Sequence, residues 1–238
     1  MKANEQFSLE GAVNMRDIGG YLNVEDCVVQ KHHFIRGANC SKLTENDCVF
    51  LYEYGIRAIV DLRSEWESAE APDHWLYKEP IDTYRVSLSG KLAPGAIMKE
   101  NATLANMYTE IIESEKGQIL KVMQILASQK GGVLFHCSAG KDRTGLITMM
   151  LLKLAGVDND TICEDYSASE VYLKPLVVEM KKFFADRNIP FIESLFHSKK
   201  EDMESACLFF DQRYNIENYL RMIGLSDEEL VQLKAKLV

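Results

Sequence analysis

Two kinds of apolar run alternate along the first two-thirds of the 238-residue chain. Short runs at 33–35, 57–62 (RAIVDL), 83–88 (TYRVSL) and 132–136 (GVLFH) predict strands; those at 57–62 and 132–136 are continuous enough to be buried on both faces. Between the first two, Thr44 with Asp47 three residues on marks a helix start, and Gly55 is a natural residue to end it. Residues 102–114 and 117–129 read as two helices with Gly117 between them. The segment 143–155 is apolar at nearly every position after Gly145 and closes at Gly156, which predicts a helix buried all round. From 158 onward the spacing is helical throughout, with helices over 158–169, 175–186, 203–213 and 215–223. A last helix opens at a capping box formed by Ser226 and Glu229, with Leu225 and Leu230 at hydrophobic-staple positions. The pattern predicts an α/β fold: a central, mostly parallel sheet flanked by helices, with a helical C-terminal half.

Composition narrows this picture. Hydrophobic residues make up 47% of the chain, enough for a sizeable core without disulfides or metals, and no repeat or low-complexity linker divides it. We therefore expect one domain over 1–238, with the stretch 171–203 around Pro175 and Pro190 as either core packing or a helical lid insertion. The six cysteines show neither a CxxC pair nor disulfide-framework spacing, which predicts reduced thiols and a cytoplasmic setting. The N-terminal residues have no apolar run of signal-peptide type, and no stretch suits an integral membrane segment. A net charge of −9 argues against nucleic acid as partner, and it requires any site for an anionic substrate to be locally cationic.

The stretch HCSAGKDRTG, His136 to Gly145, supplies that site. It puts Cys137 at the end of a predicted strand and Arg143 at the start of the buried helix, with five residues between. That spacing lets the backbone curl so that its N–H groups face one tetrahedral anion, and the helix N-terminus adds partial positive charge at the same point. Gly140 frees the backbone for the curl, and the planar fork of Arg143 suits two phosphate oxygens. The same field favours the thiolate of Cys137, a nucleophile for phosphorus that would pass through a phosphocysteine intermediate. Thr144 is placed to donate to the sulfur, and His136 to hold the loop's shape through a ring hydrogen bond. Alone, a cysteine after a strand is an inert core residue and an arginine at a helix start a solvated charge; the joint pattern is what carries the chemistry.

This loop resembles the signature of the protein tyrosine phosphatase superfamily, HCxxGxxR followed by Ser or Thr. Its AGKDRTG form is similar to the branch of bacterial tyrosine and lipid phosphatases. The runs NMRDIGGY (Asn14 to Tyr21), FIRGAN (Phe34 to Asn39), GIRAIVDLRSEWE (Gly55 to Glu67) and YLRMIGLSDEELVQL resemble further motifs of that branch, in its order. The resemblance implies a cysteine-phosphatase fold, no metal and no cofactor. It implies a phosphate cradle of Ser138, Ala139, Gly140, Lys141, Asp142 and Arg143, and a phosphorylated protein or phosphoinositide as substrate. Lys141 resembles the lysine of loops that accept phosphoinositides; the alternative is a solvent-facing loop lysine.

The general acid stays open. Many superfamily members carry it in a Trp-Pro-Asp sequence, which this chain lacks. Asp61, which matches an aspartate used in the branch, stands slightly ahead of Asp142 inside the loop, with Asp82 a distant third. Asp61 could instead only pair with Arg63 or Arg16, and Arg16 and Asp17 read as buttresses of the sheet edge and site. Two other functions use a cysteine in an anion loop: a catalytically silent phosphate-binding module, and sulfur transfer or arsenate reduction. The intact Cys137 and Arg143 count against the first, and the match outside the loop against the second.

Overall fold

The computed structural model describes residues 3–89, 103–187, 191 and 196–238. Its sheet has five strands: β1 (Arg16–Asp17), β2 (Phe34–Gly37), β3 (Ile56–Asp61), β4 (Asp82–Arg85) and β5 (Gly132–His136), in the order β1-β2-β5-β3-β4. Only β1 runs antiparallel to its neighbour; the other pairings are parallel. The mostly parallel sheet expected from the sequence is present, and the apolar strand 132–136 lies at its centre.

Helices cover the sheet: α1 (Glu45–Tyr54), α2 (Glu65–Glu70), α3 (Leu104–Ser114), α4 (Lys116–Ser128) and α5 (Asp142–Leu154), followed by five more, α6 (Asn159–Tyr172), α7 (Lys174–Asp186), α8 (Lys200–Asp211), α9 (Ile216–Ile223) and α10 (Asp227–Lys234). Their starts are chemically marked. Thr44 and Ser226 close the expected capping boxes, Ser64 closes a third with Glu67, and Gly55 ends α1 in the left-handed region at φ 112°. The sequence reading missed α2 and β1, of six and two residues, because elements so short carry no periodicity. Residue 102 of the expected 102–114 helix lies outside the described residues, as do 188–190 and 192–195 of the expected lid. No helix among the described residues is long and apolar enough to cross a membrane.

Side-chain parity on the central strands decides what the site contains. Val133 and Phe135 of β5 point into the larger core with α4, α5 and α6, whereas Leu134 joins the smaller core with Ile35, Ile59 and Leu51 on the α1 side. Asp61 is opposite His136 in the β3–β5 register. Asp61 lies two residues beyond Ile59 and His136 two beyond Leu134, so both belong to the α1 face. Cys137 follows His136 and lies with the larger core on the other face.

Candidate active site

After β5 the chain turns through residues 137–141 into α5; the carbonyls of 137–140 are held by side chains and backbone around the loop, and that of Lys141 opens the helix. Cys137 O accepts from His136 Nδ1 at 3.1 Å. Ser138 O accepts from Asn39, backbone N at 3.2 Å and Nδ2 at 3.1 Å. Ala139 O and Gly140 O accept from Asn14 Nδ2 at 2.9 and 3.1 Å, and Gly140 O also from Arg36 Nη2 at 2.8 Å. Lys141 O accepts from Gly145 N at 2.7 Å. In a trans peptide the N–H opposes the C=O, so four outward carbonyls turn the N–H groups of the following residues toward the loop's centre. Gly140 sits at φ 67° and a Cβ there would lie 2.2 Å from the Gly37 carbonyl, so the curl requires glycine.

The motifs NMRDIGGY and FIRGAN supply the outer scaffold. Asn14, itself at φ 58°, receives Arg16 Nη1 on its side-chain oxygen at 2.5 Å. Arg16 Nε and Arg36 Nη1 both pair with the fully buried Asp165 of α6, the former at 3.1 Å, and Tyr21 donates to the same carboxylate at 3.0 Å. The two guanidinium groups hold Asp165 below the usual carboxylate range in spite of its burial. Arg16 is thus a buttress, as its sequence suggests. Asp17 accepts from Tyr54 and from the backbone of Gly19 and His32, away from the loop.

At the centre, burial alone would raise the Cys137 thiol, but the Arg143 charge and the neighbouring Thr144 bring it below the ordinary thiol value. The buried Thr144 hydroxyl has no hydrogen-bond partner among the described residues, which leaves it for the sulfur beside it as charge builds there. Arg143 is held by a residue the sequence reading did not single out, Glu67 of α2. Nη1 and Nη2 reach its two carboxylate oxygens at 2.7 Å each, and Ser138 Oγ donates to Oε1 at 2.6 Å. Glu67 is also the third residue of α2's capping box, with Oε2 accepting from Ser64 N and Oγ at 2.9 Å. Its pKa is driven far down by Arg143, against the opposing effect of burial. The Ser-x-x-Glu spacing at 64–67 was the available signal. Because Glu67 occupies the Nη1/Nη2 end of the fork, the Nε edge of Arg143 remains for an anion in the loop.

The two leading acid candidates sit differently. Asp61 is buried on the α1 face with both oxygens committed: Oδ1 accepts from Arg63 N and Nε at 2.9 and 2.8 Å, and Oδ2 from Arg63 Nη2 and Ser68 Oγ at 2.9 and 2.7 Å. Against the effect of burial these partners hold it ionised below the usual carboxylate range. Asp142 opens α5 beside Arg143 and is part-exposed; its Oδ1 accepts from Tyr108 OH at 2.5 Å and lies 3.2 Å from Lys141 Nζ. Tyr108 in turn is 2.6 Å from Tyr166 OH. Among the described residues, Asp142 Oδ2 has no hydrogen-bond partner. Asp82, at the exposed end of β4, pairs in register with Ala58, three residues before Asp61. Lys141 is not solvent-facing: it is buried, with Nζ donating to His197 O at 2.8 Å.

One group of side chains has metal-ligating types. Cys40, Asp73 and His136 offer donor atoms within 4.8 Å of one another. Hydrogen bonds already close the cluster: His136 Nε2 meets Asp73 Oδ2 at 3.0 Å, and Arg63 holds Asp73 Oδ1 at 2.7 Å, placing a guanidinium against any cation there. Cys40 and Cys48 lie in the α1-side core, on the other side of the sheet from Cys137.

The cysteine loop thus lies between a central parallel strand and a buried helix, with Arg143 beside the sulfur. The sequence profile described as the tyrosine phosphatase family matches residues 7–238, and the chain belongs to that family of enzymes. It is 33% identical over 217 residues to the tyrosine-protein phosphatase of Nostoc commune, covering 86% of this chain and 74% of that one. It is 23% identical over 275 residues to the triple specificity protein phosphatase PtpB of Mycobacterium tuberculosis, covering 97% and 98% of the two chains. The crystal structure of P. aeruginosa TpbA is similar at a TM-score of 0.42 and 14% identity, over 80% of this chain and 86% of that one.

Proposed function

We propose that this chain is a single phosphatase domain that hydrolyses phosphotyrosine in proteins through a phosphocysteine intermediate on Cys137. The observation that carries this reading is the outward tethering of four consecutive loop carbonyls around Cys137, with the Arg143 charge lowering its thiol. The inward N–H groups and the Nε edge of Arg143 bind the non-bridging phosphate oxygens and stabilise their charge in the transition state. The Cys137 sulfur forms the S–P bond as the P–O bond to the phenol breaks. Asp142 delivers the proton to the departing oxygen, since it is part-exposed at the loop's mouth and retains Oδ2 for a substrate. Water then attacks phosphorus, Asp142 takes its proton, and Thr144 stabilises the departing thiolate. Asp61, ionised and fully bonded on the opposite face, instead fixes Arg63 and Ser68 and so anchors α2, the helix carrying Glu67.

Lys141 decides between substrate classes. Its ammonium is engaged by His197 O and Asp142, which favours a monoester with one phosphate over a ring bearing several. We take residues 196–198 as part of a cover over this side of the site, since Glu170 of α6 accepts from Ser198 N and pairs with His197 at 2.7 Å. The test is phosphate release from a phosphotyrosine peptide and from a panel of phosphoinositides, beside Cys137→Ser. Turnover of the peptide, absent in the variant and exceeding that of every lipid, is the expected result; a lipid preference would reassign Lys141, and no turnover on any substrate would favour a silent binding module.

A further inference from the structure

We propose that Cys163 and Cys207 form a second redox site: a buried dithiol that a hydroperoxide converts to a disulfide, stapling α6 to α8 without involving Cys137. The geometry rests on the register of two antiparallel helices. Asn159 Nδ2 of α6 donates to Asp211 Oδ2 of α8 at 2.8 Å, and further along Tyr166 and Met203 both lie against Gly145. Cys163 is four residues after Asn159 and Cys207 four before Asp211, so each is one helical turn inward on the same face, directly across from the other. Both are buried in the larger core, 5% and 0% exposed, and each thiol shifts the titration of the other, as neighbouring sulfurs do. Two cysteines facing each other across a helix interface reach bonding distance by rotation about Cα–Cβ where their Cα atoms lie within about 7 Å.

The pair is asymmetric in a way that suits the reaction. The neighbouring Cys207 thiol is the main influence lowering the Cys163 thiol against the effect of burial, and the Lys153 ammonium acts in the same direction. Cys207 is shifted the opposite way by the neighbouring Cys163 and by burial. Cys163, 5% exposed against 0% for Cys207, is the sulfur a peroxide meets first and the attacking one. Its thiolate takes the distal oxygen of the peroxide, breaking the O–O bond to give a sulfenic acid and releasing water or an alcohol once the leaving oxygen is protonated. Cys207 then attacks the sulfenic sulfur, the S–S bond forms, and a second water leaves with the Cys207 proton. The two thiols lose two electrons in all and the peroxide gains them.

A cavity of about 590 Å³ is lined by Lys153, Gly156, Val157 and Asp211. Lys153 bridges Asn159 and Asp211 at 2.7 Å each, so the end of this cavity lies one helical turn from the two sulfurs. α6 also carries Asp165 and Tyr166, which hold Arg16, Arg36 and Tyr108, so the staple would fasten the scaffold behind the phosphate loop.

The experiment uses the full chain carrying Cys137→Ser, which removes the competing nucleophile, treated with hydrogen peroxide and mapped without reduction. A peptide joining Cys163 to Cys207, a mass lower by two hydrogens and a Tm raised on the order of 5–10 °C are expected, all reversed by dithiothreitol. The Tm rise should vanish in a chain that also carries Cys207→Ala. Oxygen adducts on Cys163 with no joined peptide, or oxidation confined to the exposed Cys27, would overturn the proposal. So would a Tm rise that survives Cys207→Ala. The mapping on the parent chain stands even if the second variant does not fold.

Discussion

Replacing Glu67 with glutamine keeps its shape and removes its charge, which isolates how Arg143 is held. In the native site each Glu67 oxygen accepts one Arg143 N–H at 2.7 Å, and Oε1 also takes Ser138 Oγ at 2.6 Å. In Glu67→Gln one of those oxygens becomes an NH₂ group, which opposes a guanidinium N–H with another donor, and the fork is no longer held at both ends. Losing one charge-assisted hydrogen bond in a part-buried site costs about 1.5–3 kcal/mol. If the whole cost falls on the transition state, kcat/KM drops roughly 10- to 150-fold. The loss should appear in both KM and kcat, because Arg143 binds phosphate in the ground state and more tightly in the transition state. The assay is steady-state hydrolysis of p-nitrophenyl phosphate, with thermal unfolding as a parallel readout. Unfolding has its own signature. The folded pKa of Glu67 is depressed, so its stabilisation is full above its unfolded value near 4.3 and is lost as pH falls toward the folded value. Wild-type Tm should therefore converge on that of the variant as the pH drops below about 4. A Glu67→Gln enzyme within threefold of wild type in kcat/KM would refute the claim that this carboxylate organises the arginine.

The remaining predictions separate chemistry from scaffold. Asp142→Asn should lower kcat by roughly 10²- to 10⁴-fold on a phenyl phosphate with a poor leaving group and far less on p-nitrophenyl phosphate. Asp61→Asn should lower Tm and activity without that dependence on leaving group; a leaving-group effect confined to Asp61→Asn would reverse the assignment. Tyr108→Phe removes the 2.5 Å bond to Asp142 and should cost about 0.5–1.5 kcal/mol in positioning, read as a fall in kcat of up to roughly tenfold with KM little changed. Gly140→Ala places a methyl group 2.2 Å from the Gly37 carbonyl, and phosphate release should fall below detection in any folded fraction.

How far the sequence reaches can be judged residue by residue. The loop from His136 to Gly145 is local, and its strand–turn–helix context is written in consecutive residues; the helix starts are legible for the same reason, since capping boxes span four residues. Asp61 is a harder case. Its alternation with Ile59 assigns it a face, but only the β3–β5 register tells that this is the face of His136 and not of Cys137. Glu67 announces itself as the end of a Ser-x-x-Glu box, yet its reach to Arg143, 76 residues away, depends on where α2 packs. Tyr108 and Tyr166 have no local signal at all: 58 residues separate them, and only the packed core brings their hydroxyls together beside Asp142. The thiols of Cys163 and Cys207 likewise meet only through the antiparallel register of α6 and α8.

Cys137 as the phosphoryl acceptor is tested by acid-quenching the enzyme within its first turnover of a phosphotyrosine peptide and mapping the trapped phosphate by mass spectrometry. Phosphate on the Cys137 peptide, formed in a burst and absent from Cys137→Ser, is the expected result. Turnover with no trapped phosphoenzyme, or phosphate carried on any other residue, would contradict the account.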